Sequence, residues 1–204
     1  MTKIVQAKSS FSRKYGVNLW GLSGDAFEKK PYIPGQHGSK VNRSRGGYRG
    51  QLVAKQKLKF YYCISERKIK NIARAGVKSM ENSVEYLVSR LETMLIAVVF
   101  RASFASTMFF AKQLISHGHI LVNGKKLNIF TCNLKEGDVV SLTEKAKKIP
   151  TVLQFFQSST RTVPDYLELN KSEMTIKLKR MPKSSEVPFE AQMEPGTVIE
   201  FYSK

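Results

Sequence analysis

One short stretch restricts the fold of this chain more than any other. In SHGHILVNGKK, residues 116–126, three strand-forming residues, Ile120, Leu121 and Val122, are followed at once by Asn123 and Gly124. Asn-Gly between apolar runs is the strongest short signal for a two-residue hairpin, because a type I′ turn needs positive φ twice. Lys125 and Lys126 then open the return strand through Leu127 and Ile129. Gly137-Asp138 marks a second turn before an apolar strand over 139–142. Upstream, apolar residues recur at Val84, Leu87, Val88, Leu91, Met94, Leu95 and Val98, the three- and four-residue steps of a helix. Asn82 with Glu85 three positions on resembles a capping box, so the spacing predicts one helix from about 82 to 101. Another starts near Ser106 and stops at Gly118. Helix, helix, hairpin and strand make a compact α/β unit with a cationic loop.

The histidines in that stretch admit a metal-binding or catalytic reading, which the spacing disfavours. His117 and His119 stand at i, i+2 around a glycine, and no third Cys or His is near. His117 is better placed to cap the helix or to meet a phosphate or ribose. The two cysteines, Cys63 and Cys132, are far apart and cannot form a four-thiolate zinc site; reduced thiols, no metal and no cofactor are expected.

Charge narrows the partner. The chain of 204 residues carries a formal net charge of +18, which disfavours a compact state unless a polyanion offsets it. Residues 29–78 hold fourteen Lys/Arg against the single acid Glu66, a net of +13, whereas residues 79–204 are only +3. Such segregation points to a polyanion-binding surface. A membrane is the weaker candidate: no run of 18 apolar residues exists, and MTKIVQAKSS lacks a signal core.

Residues 1–50, rich in Gly, Ser, Lys and Arg, read as an irregular basic arm ordered by a partner. Within it RSRGGYRG sets Tyr48 among Arg43, Arg45 and Arg49, a combination suited to phosphate contact and base stacking. A helix is predicted from about 51 to 62, with Leu52, Leu58, Tyr61 and Tyr62 inward and Lys55, Gln56 and Lys59 on another side. Ser65 should cap a second helix that buries Ile69, Ile72 and Ala73 and stops at Gly76, with Lys57, Arg67, Lys68, Lys70 and Arg74 outside. Residues 151–163 read as a helix, MTIKLKR as a strand, and the closing TVIEFYSK as a strand.

PYIPGQHG, AKQKLKFYY, LISHGHILVNGKKLNI, LKEGDVVSL, VPDYLEL and VIEFYSK occur here in order. Together they resemble the bacterial-type small-subunit ribosomal protein S-four family over about residues 11–204, and GVNLWG is similar to its alphaproteobacterial members, whose ancestry mitochondrially encoded relatives share. The resemblance implies an α+β fold: a basic arm over 1–50, a mostly helical first domain over 51–92 completed by 171–204, and an inserted α/β RNA-binding domain over 93–170, two helices packed on a small, mainly antiparallel sheet. It implies a structural, non-enzymatic constituent of the small ribosomal subunit, in a bacterial cytoplasm or a mitochondrial matrix. Such a protein binds the 5′ domain of small-subunit rRNA, nucleates assembly and supports translational accuracy beside protein five and near the mRNA entry channel. The candidate RNA contacts are Gln36, His37, Gly38, Arg43, Arg45 and Arg49 in the arm. Lys55, Gln56, Lys57 and Lys59 are candidates in the first helix, and Lys112, Gln113, Ser116, His117, Gly118, His119, Asn123, Gly124, Lys125 and Lys126 in the α/β domain. Alternatives are an RNA-modifying enzyme carrying the same module, for which no paired-carboxylate or Gly-rich motif is evident, and an mRNA-binding repressor.

Three departures stand out. Thr93-Met94-Leu95-Ile96-Ala97 replaces the family's usual Arg-Arg-Leu-Asp-Asn. Met108-Phe109-Phe110 stands where a basic residue is usual, and Ile129-Phe130-Thr131-Cys132 replaces Ile-Pro-Ser-Tyr. The missing charges suggest that the arm and first domain supply more of the RNA affinity.

Overall fold

The structure of the protein, a computed structural model, describes residues 8–20, 26–38, 47–79, 82–159, 161–189 and 193–203. It divides into two compact units, one comprising residues 1–84 and 189–204 and the other residues 85–188. These divisions fall at 84/85 and 188/189, against expected boundaries at 92/93 and 170/171; the second lies later because the strands after residue 166 join the sheet of the second unit.

Unit 1 is helical. Its described elements are α1 (Lys8–Tyr15), α2 (Ala26–Lys29), α3 (Gly47–Tyr61), α4 (Glu66–Lys78) and, at the C-terminal end, α10 (Pro195–Ser203). Much of the first fifty residues is therefore built rather than irregular. Phe11, Tyr15, Leu19 and Trp20 are buried. The Phe11 ring lies 4.2 Å from that of Phe60, and the Trp20 indole donates to the Phe60 carbonyl at 3.3 Å. Four large apolar side chains near the chain start supply enough burial to order it.

Ser65 caps α4 as expected, its hydroxyl accepting from the Lys68 amide at 3.3 Å. Gly76 does not end α4. The helix continues to Lys78 because Gly76 is buried and its carbonyl is held by the hydroxyls of Ser79 at 2.8 Å and Ser83 at 3.0 Å. The closing segment is a helix, not a strand. Pro195 opens α10, a position proline favours, and the helix docks on α3 and α4. Its ring contact to Tyr48 and its bond to Glu66 override the strand propensity of Thr197, Val198 and Ile199.

Unit 2 begins within α5 (Ser83–Glu92) and holds α6 (Leu95–Arg101), α7 (Met108–Ser116), α8 (Glu144–Lys147) and α9 (Pro150–Ser158). The single helix expected over 82–101 is broken at Thr93 and Met94. The segment before the second turn takes the backbone groups there: Leu95 N donates to Cys132 O at 2.8 Å, Ile96 N to Phe130 O at 3.1 Å, and Leu134 N to Thr93 O at 2.8 Å. The apolar periodicity survives the break, so the sequence pattern does not report it. Asn82 accepts from the Val84 amide at 3.0 Å, but Glu85 does not complete the box. Its carboxylate instead holds the amide and hydroxyl of Ser184, each at 2.8 Å.

All seven residues of α6 are buried, as for a helix at the centre of a core. The unit also holds a five-stranded antiparallel sheet in the order β2-β1-β3-β5-β4: β1 (Ile120–Val122), β2 (Lys125–Lys126), β3 (Val139–Leu142), β4 (Leu167–Asn170) and β5 (Thr175–Leu178). Ile120 opposes Leu142 and Val140 opposes Ile176. These four, with Leu167 and Leu178, are buried, the period-two face a sheet turns to its core. No described helix is long and apolar enough to cross a membrane.

Candidate RNA interface

In unit 1 the α4 helix carries Arg67, Lys70, Arg74 and Lys78 at i, i+3, i+7 and i+11, all exposed. That spacing puts four cations on one stripe about 16 Å long. The opposite face buries Ile69, Ile72, Ala73 and Gly76. Lys70, Arg74 and Lys78 were absent from the candidate contacts read off the sequence, as was Arg67. The i, i+3, i+7 spacing is the signal that finds them.

The candidates on α3 separate into two kinds. Lys55 is buried; its ammonium lies 2.7 Å from Glu66 Oε1 and 4.7 Å from the Phe201 ring centroid. Lys59 reaches the other Glu66 oxygen at 3.3 Å. Both serve the packing of unit 1 before any partner arrives. Burial pushes the Glu66 carboxyl upward, but hydrogen bonds from Lys55 and Tyr202 and the charges of Lys55 and Lys59 outweigh it, so the pKa falls below its ordinary value. Lys57 and Gln56 are half-buried, whereas Arg49 is exposed.

Gln36 and His37 sit exposed at the tip of a loop over residues 31–38. Arg13 fastens that loop, donating to the carbonyls of Lys30 and Tyr32 at 3.2 and 3.1 Å. Gly38 cannot carry a side chain: a Cβ would lie 1.6 Å from the Ile33 carbonyl oxygen. It shapes the loop rather than offering a group to a ligand. Arg43 and Arg45 lie outside the described residues.

In unit 2 the hairpin forms as the sequence predicts. Asn123 has φ 49° and Gly124 φ 78°, the pair of positive values a type I′ turn requires. Asn123 is locked: Nδ2 donates to Asp138 Oδ1 at 2.8 Å and Oδ1 accepts from the Val139 amide at 3.0 Å. With its amide spent on Asp138 and Val139, Asn123 is a scaffold, while Lys125 and Lys126 are presented exposed beyond it. Gly118, at φ 71°, follows His117, the C-cap of α7. Gln113 and His117 are exposed on the last turn; Ser116, Gly118 and His119 are half-buried. The two imidazoles are 6.2 Å apart. Among the described residues no group of three or more His, Cys, Asp or Glu could hold a metal ion.

The departures from the family pattern have a visible place. Met108 and Phe130 are buried, and the Lys112 ammonium sits 4.7 Å from the Phe130 ring centroid. Lys112 thus lies along an aromatic face. Two arginines of unit 2 are consumed internally. Arg101 is fully buried against Glu92, and Arg161 donates to the carbonyls of Phe100, Ala105 and Ser106.

A helical unit with a one-sided cationic stripe and an α/β unit with a rigid basic hairpin define a nucleic-acid-binding protein of the S4-domain class. Residues 3–92 match the family model described as Ribosomal protein S4/S9 N-terminal domain, and residues 95–140 match the S4 domain. The chain is 44% identical over 201 residues to the small ribosomal subunit protein uS4 of Ehrlichia chaffeensis, spanning 98% of this chain and 100% of the relative. It is 44% identical to the protein of that name from Rhodopseudomonas palustris (strain TIE-1), and 45% identical to that from Bradyrhizobium sp. (strain ORS 278), each match covering both chains in full over 205 residues. The chain belongs to the small ribosomal subunit protein uS4 family.

Proposed function

We propose that this protein is a structural constituent of the small ribosomal subunit that binds rRNA and does no chemistry of its own. One observation carries the reading: a chain that matches a family member from end to end exposes its cations on fixed elements, the α4 stripe and the hairpin tip. Lysines and arginines there neutralise phosphates and release counterions, and shape rather than base edges supplies selectivity, because the A-form major groove is too deep and narrow for side chains to read.

The RNA is the 5′ domain of small-subunit rRNA, where binding nucleates assembly and supports accuracy. Protein five and the mRNA entry channel are neighbours. The compartment is a bacterial cytoplasm, or a mitochondrial matrix for an organelle-encoded copy. The basic first fifty residues and the helical unit supply most of the affinity, in keeping with the net charge of +13 over residues 29–78. Gln36, His37, Arg43, Arg45, Arg49, Gln56 and Lys57 meet RNA there. Lys112, Gln113, Ser116, His117, His119, Lys125 and Lys126 meet it from the α/β unit. Lys55, Lys59, Gly38, Gly118, Asn123 and Gly124 act by holding those surfaces in shape.

The test is binding to a transcript of the 5′-domain junction against a length-matched scrambled RNA, across a salt titration. Preference for the junction with a steep salt slope is expected. Equal affinity for both RNAs overturns the reading.

A further inference from the structure

Unit 1 contains a cavity of about 360 Å³ between the end of α1 and one face of α3. Tyr15, Leu52 and Val53 supply apolar wall, while Lys14 and Arg49, both exposed, supply positive charge. Gln56 lines the same cavity, and its Oε1 is buried without a hydrogen bond from any described residue. A buried acceptor left without a protein donor costs stability, so beside an open cavity it favours a ligand that supplies the donor in place of solvent. Whichever way its oxygen and nitrogen are assigned, the amide offers a donor and an acceptor side by side. Burial pushes the Tyr15 phenol to about 12, so the aromatic wall adds no negative charge.

The complement of this cavity has a flat apolar body, a polar edge carrying both donors and acceptors, and adjacent negative charge. That is the chemistry of a nucleotide. A purely apolar side chain leaves the Gln56 amide unpaired, and a simple anion leaves the walls unfilled. Resting on the RNA-binding function above, we propose that the cavity receives one unstacked nucleotide of the bound RNA, its base edge on the Gln56 amide and its flanking phosphates at Lys14 and Arg49. The base is read in a pocket of its own, whereas the α4 stripe meets only the backbone.

The test uses the full chain and a 5′-domain transcript of an alphaproteobacterial small-subunit rRNA. Complexes of the wild type, Gln56→Leu and Val53→Phe are probed base by base, with dimethyl sulfate for A and C and a carbodiimide for G and U. Affinity is measured across a salt series, with scrambled RNA as the control. One unpaired base protected by the wild type is expected to become reactive in both variants, with affinity reduced roughly tenfold and the salt slope unchanged, as for a lost base-edge contact rather than a lost phosphate contact. Gln56→Leu removes the orphaned acceptor and should melt no lower than the wild type. Val53→Phe keeps the amide and fills the space. The double variant Lys14→Ala/Arg49→Ala should instead flatten the salt slope by about two. A wild type that prefers the junction RNA, with footprints and affinities identical in Gln56→Leu and Val53→Phe, overturns the pocket alone. A wild type that binds both RNAs equally overturns the RNA-binding function with it.

Discussion

The Tyr202 hydroxyl donates to Glu66 Oε1 at 2.7 Å, joining the last helix to the only acid in the basic segment 29–78. Glu66 also accepts from Lys55 and Lys59. A lone carboxylate among fourteen cations thus organises three elements, α3, α4 and α10. Burial, followed by the bond to Glu66, pushes the Tyr202 phenol well above its ordinary range, so it remains a donor at every physiological pH. Tyr202→Phe keeps the ring and deletes the bond. A hydrogen bond to a charged acceptor is worth about 1.5–3 kcal/mol, and with Glu66 partly exposed the expected loss in urea denaturation is near the low end.

The same cluster sets an acid limit. The folded pKa of Glu66 lies below its ordinary value of 4.5. The unfolded chain therefore binds the proton first as pH drops, and the stabilisation is present in full above that ordinary value and lost as pH falls through the folded pKa. Glu66→Gln should flatten this part of the stability profile below about pH 4.5 while leaving its shape near neutrality alone. An unchanged acid limb in the variant assigns that limb to other carboxylates.

In unit 2 the Arg101 guanidinium grips Glu92 through two bonds of 3.1 and 2.9 Å and donates to the Pro188 carbonyl at 2.9 Å. Tyr166 donates to the same carboxylate at 2.8 Å, and burial, then the Glu92 charge, pushes its phenol far upward. Removing one partner strands a buried charge, which costs about 3–5 kcal/mol, whereas an apolar pair of similar volume is often neutral. Arg101→Met should lose that much in chemical denaturation, and Glu92→Leu/Arg101→Met should recover most of it. A double variant as unstable as the single one would mean that the lost bonds to the Pro188 carbonyl and from the Tyr166 hydroxyl, not the stranded charge, dominate.

How much of this was legible in the sequence depends on whether a signal was local. The hairpin was, because Asn123-Gly124 demands a backbone that few other sequences accept. The Ser65 cap and the inward face of α4 were, because they repeat at helical spacing. The break at Thr93-Met94 was not: its cause is hydrogen bonding from residues 130–134, about forty positions away. The helical state of residues 197–203 was hidden for the same reason, since their partners are Tyr48, Lys55 and Glu66. For the interface, charge segregation pointed to residues 29–78, the segment that includes the α4 stripe. It did not separate the cations that face outward on α4 from Lys55 and Lys59, which a single distant acid draws inward.

The hairpin should tolerate charge removal better than backbone change. Gly124 holds φ 78°, so Gly124→Ala carries a left-handed penalty of about 1–2 kcal/mol, read as a lower melting temperature. Lys125→Ala and Lys126→Ala are exposed changes that should leave melting unmoved and each reduce the salt slope for rRNA binding by about one. A slope unaffected by both would remove the hairpin tip from the interface.

Lys55 and Arg74 make the sharpest comparison, since composition treats them alike. Lys55 is buried and paired with Glu66 at 2.7 Å, so Lys55→Met leaves a carboxylate that keeps only Lys59 and Tyr202. Arg74 is exposed on the α4 stripe and makes no bond to a described residue. Lys55→Met should therefore lower stability by about 1–3 kcal/mol, discounted toward the lower figure by the exposure of Glu66, and leave the salt slope of the folded protein intact. Arg74→Ala should do the reverse, holding stability within about 0.5 kcal/mol while reducing the slope by about one. The two measurements, urea melts and a salt series at a concentration where both variants are folded, separate the cations that build the protein from those that bind RNA. If Lys55→Met instead flattens the slope with stability unchanged, its ammonium leaves Glu66 on binding and the ion pair is a latch that RNA opens.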